Sequence, residues 1–178
     1  FWIDPKTALQ FGGNKTATAH DFIKPYINGR DLNQKTRGKF VLDFHGLSSQ
    51  EVADQFPAAY QHPYENSRPI RATDNMPYRQ ENWWLFGQPS TEMRAALEGL
   101  VRFVATTETA RHRIFSFLGG KAMPDQKIRV VATQDSWVLT VLTSRVHTWF
   151  SFETGGWQGA GNDPVYQHTQ TFEPFSFP

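Results

Sequence analysis

RFVATTETARHRIFSFLGGKAMPDQKIRVVAT, residues 102–133, is the stretch whose reading decides the fold. Three short runs inside it, RFVATT, HRIFSFL and KIRVVAT, are rich in β-branched and aromatic residues, and turn signals separate them, Gly119-Gly120 among them. That pattern predicts three strands pairing into a small sheet. Just upstream, TEMRAALEGLVRF (91–103) has good helix formers and Glu92 in its first turn, which predicts a helix at least to Leu97. Just downstream, SWVLTVLTSRVHTWF (136–150) places Val138, Leu142, Arg145 and Trp149 on one helical face and Leu139, Val146 and Phe150 on another. Helix is the favoured reading there, with Asp135 or Ser136 as its cap, and the Thr and Val content keeps a strand as the alternative.

Further upstream, IKPYINGRDL (23–32) is an apolar run closed by the turn dipeptide Asn28-Gly29, and KFVLDF (39–44) reads as a strand. Ser48 with Glu51 three residues later forms a capping-box signature for a helix across SSQEVADQF, and PAAYQHPYENS predicts a second helical piece. Pro69, Asp74-Asn75 and Pro77 then predict a loop before ENWWLFG. Residues 1–22 show little periodicity and read as an arm or linker, and a chain starting at Phe1 reads as a piece of something longer. The order of elements predicts an α+β fold, a small and mostly antiparallel sheet with several helices.

A chain of 178 residues is long enough to bury a core without staples, and with no cysteine it has neither a thiol nucleophile nor a Cys-based zinc site. The cytoplasm is the default compartment. A net charge of +1 leaves no whole-molecule field, and no apolar run approaches a membrane span, so no membrane partner is expected. Aromatic residues make up 15% of the chain, which mostly signals core, although the Trp83-Trp84 doublet has base stacking as its alternative.

The six His, at 20, 45, 62, 112, 147 and 168, never adopt metal-motif spacing, so no metal site is expected. Asp43 and His45 flank Phe44 on a predicted strand, but no nucleophile elbow accompanies them. Charge is more informative: Arg102, Arg111, Arg113, Lys121, Lys127 and Arg129 face only Glu108 and Asp125 over the same stretch, a candidate phosphate footprint whose alternative is a solvated sheet face. The glycine-rich GGWQGAGNDPVY (155–166) comes after a predicted helix, and Pro164 blocks the helix that a phosphate cradle would have to enter. It reads either as an exposed connection or as a tip offering Gln158 and Asn162, suited to adenine edges, and Asp163, which accepts from cytosine.

Six phrases in order resemble one family. IKPYINGRDL, KFVLDFHGLSSQEVADQFPAAYQH, ENWWLFG, LVRFVATTETARHRIFSFL, LTSRVHTWF and GNDPVYQHTQTFEPFSFP together resemble the target-recognition region of MmeI-like DNA adenine methyltransferases, enzymes of bacterial restriction-modification and phage defence, some fused to a nuclease. The resemblance covers nearly all of residues 23–178 and implies a DNA target-recognition domain there, preceded by residues 1–22 as the linker from an upstream methyltransferase domain of the same polypeptide. The family's catalytic domain binds S-adenosylmethionine and holds a flipped adenine with an Asn-Pro-Pro-Tyr motif. That motif does not occur in this chain, so no catalytic residue and no cofactor is assigned to it; S-adenosylmethionine belongs to the parent enzyme, a DNA adenine-N6 methyltransferase.

The resemblance points to the glycine-rich segment, to TTETARHR and to the turn at PDQK. Double-stranded DNA is the implied partner, with phosphates bound by Arg30, Arg111, Arg113, Lys127 and Arg145, and bases read by Thr107, Glu108, His112, Gln126, Gln158, Asn162 and Asp163. Arg145 has a structural ion pair as its alternative. The rival functions are a protein-docking module using TFEPFSFP as its interface and a small hydrolase using Asp43 and His45.

Overall fold

The computed structural model describes residues 2–12, 22–87, 89–159 and 163–178, and within them the chain is α+β. It forms two compact units. The first comprises Phe1–Tyr26 and Gly38–Thr91, the second Ile27–Arg37 and Glu92–Pro178.

In the first unit β3 (Phe40–Leu42) lies between β1 (Trp2–Ile3) and β2 (Ile23–Ile27), antiparallel to both, with Ile3 opposite Phe40 and Ile23 opposite Leu42. Around them lie α1 (Pro5–Gly12), α3 (Ser49–Gln55), α4 (Pro57–Asn66), α5 (Arg68–Arg71) and α6 (Pro77–Glu81). The capping box is made as the spacing predicts: Ser48 Oγ accepts from the Glu51 N–H at 3.2 Å and Glu51 Oε2 accepts from the Ser48 N–H at 2.7 Å. The core gathers Ile3, Ala8, Phe22, Leu42, Phe44, Val52 and Ala59, and Phe22 stacks on Phe44 at 5.1 Å and meets Phe56 at 4.5 Å. Residues 2–12 are therefore a strand and a helix with two side chains in the core, which differs from the arm that the sequence predicts, while residues 13–21 lie outside the described residues. The predicted loop after Pro69 carries α5 and α6, each started by a proline in its first turn, where a missing N–H costs nothing.

The Trp doublet is divided between core and edge. Trp84 donates its indole N–H to the Leu47 carbonyl at 2.9 Å and packs against the core, while Trp83 meets Tyr60 edge-on at 5.4 Å.

In the second unit β4 (Arg102–Thr107) is the central strand, with β5 (Phe115–Gly119) on one side and β7 (Ile128–Val131) on the other, both antiparallel; a two-residue strand, β6 (Met123–Pro124), precedes β7. The sheet predicted from residues 102–133 is thus formed by those three runs. Residues 103 to 107 of β4 are all buried, because alternate side chains serve opposite faces. Val104 joins Phe115, Val138, Leu142 and Tyr166, whereas Phe103 and Ala105 join Ile128, Leu32 and Leu97. These partners come from α8 (Ser136–Leu142) on one face, and from α2 (Gly29–Asn33) and α7 (Thr91–Leu97) on the other.

Two local readings are corrected. Asn28-Gly29 is not a turn between strands: Asn28 Oδ1 accepts from the Arg30 and Asp31 N–H groups and opens α2, and Asp31 completes the box by accepting from the Asn28 N–H at 3.1 Å. The helix predicted over 136–150 is two helices, α8 and α9 (Arg145–Thr154), because Ser144 leaves the helical conformation and its hydroxyl accepts from the His147 N–H. After α9 the antiparallel pair β8 (Gly156–Gln158) and β9 (Asp163–Val165) leads into a π-helical turn, His168–Phe172. Among the described residues no helix is long and apolar enough to cross a membrane.

Candidate nucleic-acid interface

The end of β4 is where the second unit collects its polar side chains. Each neighbouring segment is tied to it by backbone or side-chain hydrogen bonds. From α2, Asn33 donates Nδ2 to Thr107 Oγ1 at 3.3 Å, and Gly29 lies so close that a Cβ there would sit 3.2 Å from Thr107 Cγ2. From the turn before β7, the Lys127 carbonyl accepts the Glu108 N–H at 2.8 Å; Asp125 closes that turn by accepting the Lys127 N–H on its carboxylate at 2.9 Å. From β9, the Tyr166 N–H donates to the Glu108 carbonyl at 2.6 Å and Val165 bridges to Thr109. From β8, Gln158 Oε1 accepts the Thr109 hydroxyl at 2.9 Å.

Several of the site residues read from the sequence lie on the segments tied together here. Gln126 and Lys127 stand exposed on the turn, Gln158 and Asp163 are register partners on the β8–β9 ribbon, Arg111 and His112 are exposed between β4 and β5, and Arg30 is exposed on α2. Asn162 lies outside the described residues. Arg145, exposed on the first turn of α9, makes no contact among the described residues that brings it into this group.

Glu108 is not open to a base edge. Its carboxylate accepts from Lys127 Nζ at 2.8 Å and from Arg129 Nη2 at 2.6 Å; the Glu108 side chain is 13% exposed, the Lys127 side chain 60% and that of Arg129 36%. The acid is mostly covered and its two cationic partners are the more exposed members of the cluster.

Two expected contacts are internal instead. Thr107 is buried, its hydroxyl accepting from Asn33, and cannot meet a base. Arg113 is turned inward: Nη1 donates to the Thr107 carbonyl and to Thr106 Oγ1 at 3.4 Å, Nη2 donates to the Pro164 carbonyl at 3.0 Å, and the guanidinium lies 5.0 Å from the centre of the Tyr166 ring. Burial lowers its pKa to about 10, so it stays charged at neutral pH, with carbonyls rather than a carboxylate as its partners among the described residues. Arg102 is likewise engaged within the unit, donating to the Gln134 carbonyl and Ser136 Oγ at 3.0 Å while stacking 3.9 Å over Phe117.

Beneath Arg113 lies His147, fully buried, whose Nε2 is 3.2 Å from the Tyr166 hydroxyl; Phe115 and Phe175 pack edge-on against its ring. Burial, and then the charge of Arg113, lowers its pKa to about 4. Burial also raises the Tyr166 phenol. These groups are neutral except for Arg113.

Sequence reasoning overlooked Asn33 and Thr109 as parts of this end of the sheet, and it placed Arg129 in the candidate phosphate footprint without assigning it a phosphate. Arg129 is recoverable from strand period, since it shares a face with Lys127 two residues earlier. Asn33 and Thr109 gave no signal, because their partners are 74 and 49 residues away in the chain.

The rival sites are differently placed. Asp43 is buried and paired with Lys24 at 2.5 Å while His45 is exposed, because β3 ends at Leu42 and strand alternation no longer aligns them. The aromatic C-terminus packs on its own unit: Phe172 and Phe177 lie against the core, 5.4 Å apart, and Phe175 contacts His147 and Phe150. Among the described residues no group of three His, Asp or Glu could hold a metal ion.

No family model matches the chain, and no curated protein does. Among solved structures, the fold is similar to part of the type IIL restriction-modification enzyme MmeI in complex with DNA, with a TM-score of 0.74 at 13% identity. The likeness covers 98% of this chain and 23% of that one.

Proposed function

We propose that this chain is the DNA target-recognition part of a restriction-modification enzyme, reading sequence with the end of the second unit's sheet. The observation that carries the reading is the convergence at β4 of amide, carboxylate and cationic side chains from separate segments, on a fold similar to part of an enzyme solved with DNA. Arg30, Arg111, Lys127 and Arg129 engage phosphates, which fixes position without reading sequence. Gln126, His112, Gln158, Asn162 and Asp163 are the proposed readers of base edges. Since Gln158 Oε1 already accepts from Thr109, its amide is left as a donor, which suits a purine N7, guanine O6 or thymine O4.

In this reading the methyl-transfer chemistry lies in another domain of the same polypeptide, an upstream DNA adenine-N6 methyltransferase that holds S-adenosylmethionine, and the enzyme works in the cytoplasm beside the DNA it modifies.

The test is fluorescence anisotropy of a labelled duplex titrated with the 178-residue chain at several salt concentrations. The expected dissociation constant lies at about 1 μM to 0.1 mM near physiological salt and rises steeply as salt is added. An affinity unchanged between low and high salt would overturn the reading.

A further inference from the structure

The β8–β9 ribbon has three paired residues on each strand, and a ribbon that small does not hold its own position in water. What orients Gln158 and Asp163 is the way the ribbon is anchored. Three anchors are backbone or short polar contacts to residues just after β4: the Tyr166 N–H on the Glu108 carbonyl and the Ala110 N–H on the Pro164 carbonyl, which together make the Thr109–Val165 bridge, and the Thr109 hydroxyl on Gln158. A further anchor is a side chain, Arg113, with one arm on each strand. Nη1 holds the Thr107 carbonyl at the end of β4, and Nη2 holds the Pro164 carbonyl in the middle of β9, next to Asp163.

The chemistry of this bridge is specific to arginine. A planar fork can address two carbonyls about a side chain's width apart at fixed angles, while an ammonium is a single point on a flexible stem. Its location is costly. A half-buried cation held by two carbonyls and a hydroxyl, with no carboxylate partner among the described residues, would be replaced to advantage by an apolar side chain if packing were all that the site required.

We infer that Arg113 is a positioning residue for base readout: it sets the pose of the β8–β9 ribbon against β4 and thereby the placement of Gln158 and Asp163, without touching DNA itself. The inference rests on the DNA-reading function proposed above. It differs from a phosphate role in what a lysine does. At a phosphate contact Arg113→Lys keeps most of the effect; at a two-carbonyl bridge it does not.

The experiment compares the 178-residue chain with its Arg113→Lys, Thr106→Val and Lys127→Ala variants by three measurements: hydrogen exchange at the Tyr166 and Ala110 amides, the salt slope of duplex binding, and selection from a randomised duplex pool. For Arg113→Lys the expected results are faster exchange at both amides, a salt slope within half a contact of wild type, and enrichment at the read position reduced roughly five- to tenfold. Lys127→Ala should do the converse, lowering the slope by about one contact and leaving the selected sequence alone. Thr106→Val removes the hydroxyl that accepts from the fork at 3.4 Å, together with its own bond to the Ile114 carbonyl at 2.7 Å, while keeping the side-chain shape, and should give an intermediate loss of preference; it decides the matter if Arg113→Lys does not fold. Native exchange and native preference in either Arg113→Lys or, failing that, Thr106→Val would overturn the inference. If the wild-type chain selects no sequence, the reading function itself has failed, and unchanged exchange in Arg113→Lys would separately remove the bridge.

Discussion

Glu108 and Lys127 are joined twice: the Glu108 N–H donates to the Lys127 carbonyl at 2.8 Å, and the Glu108 carboxylate accepts from the Lys127 ammonium, also at 2.8 Å. The backbone bond extends the β4–β7 ladder past its last register pair, Thr107 with Ile128, and thereby fixes the side-chain pair. A carboxylate lying between a lysine and an arginine occupies the place a phosphate oxygen would take.

Glu108→Gln should therefore strengthen duplex binding of every sequence and steepen its salt dependence by up to about one contact, as Lys127 and Arg129 no longer share their charge between the acid and the phosphates. Stability should change by no more than about 1 kcal/mol, since both cations are substantially exposed and screened. Anisotropy against salt concentration, with a thermal melt beside it, measures both. A shallower slope would mean that the acid organises the cations rather than masking them.

Thr109→Val should alter what Gln158 reads. The substitution returns Oε1 to the solvent, so the amide becomes both donor and acceptor and can engage adenine in a bidentate pair worth roughly 1 to 3 kcal/mol of discrimination. Selection from a randomised duplex pool should show a gain of adenine at one position, and Gln158→Ala should erase preference there.

Asp31 gives the fold an acid-sensitive point. Hydrogen bonds from Arg37 come first among the causes that lower its pKa to about 2, with further bonds from the Arg37 and Asn28 N–H groups. A depressed carboxylate contributes stability that is present above its unfolded value of 3.8 and is lost as pH falls through about 2. Asp31→Asn should cost about 1 to 3 kcal/mol at neutral pH and flatten the melting temperature between those two values.

His147 acts in a higher window. Its folded pKa of about 4 lies below the ordinary 6.5, so the unfolded chain binds the extra proton and stability declines as pH drops from about 6.5 to about 4. Arg113 is the charged group facing it, and protonation would place two cations together beside Tyr166. In His147→Gln, which keeps a donor towards the Tyr166 hydroxyl, that part of the pH dependence should disappear from the melting curve. Persistence of the slope would assign it to another group.

How much the sequence made legible depends on how local each signal is. Runs of β-branched and aromatic residues between turn signals located β4, β5 and β7, and the Ser48–Glu51 spacing located α3, because both patterns are complete within a few residues. Asn28 misled because a turn and an N-cap use the same side chain on the same backbone N–H groups, and only the conformation of the residues after Gly29 distinguishes them. The 136–150 helix concealed its break for a related reason: Ser144 fits the helical pattern by position and ends it by hydrogen bonding. At the candidate site, the family resemblance pointed to the turn at Gln126 and Lys127 and the glycine-rich segment suggested Gln158 and Asp163, but whether an arginine faces outward depends on carbonyls far along the chain. Arg113 and Arg111 are two residues apart, and only Arg113 meets Pro164, 51 residues later.

The second unit is assembled from two separate lengths of chain, 27–37 and 92–178. Anyone grafting its reading surface onto a related scaffold has to transplant both pieces. A shorter exchange starting at Glu92 would leave behind Leu32, which packs under β4, and Asn33, which holds Thr107, and the transplanted loops would arrive without the helix that seats them. Recombination between relatives with crossovers after residues 26, 37 and 91 would keep each unit whole; a single crossover between residues 38 and 91 would divide both.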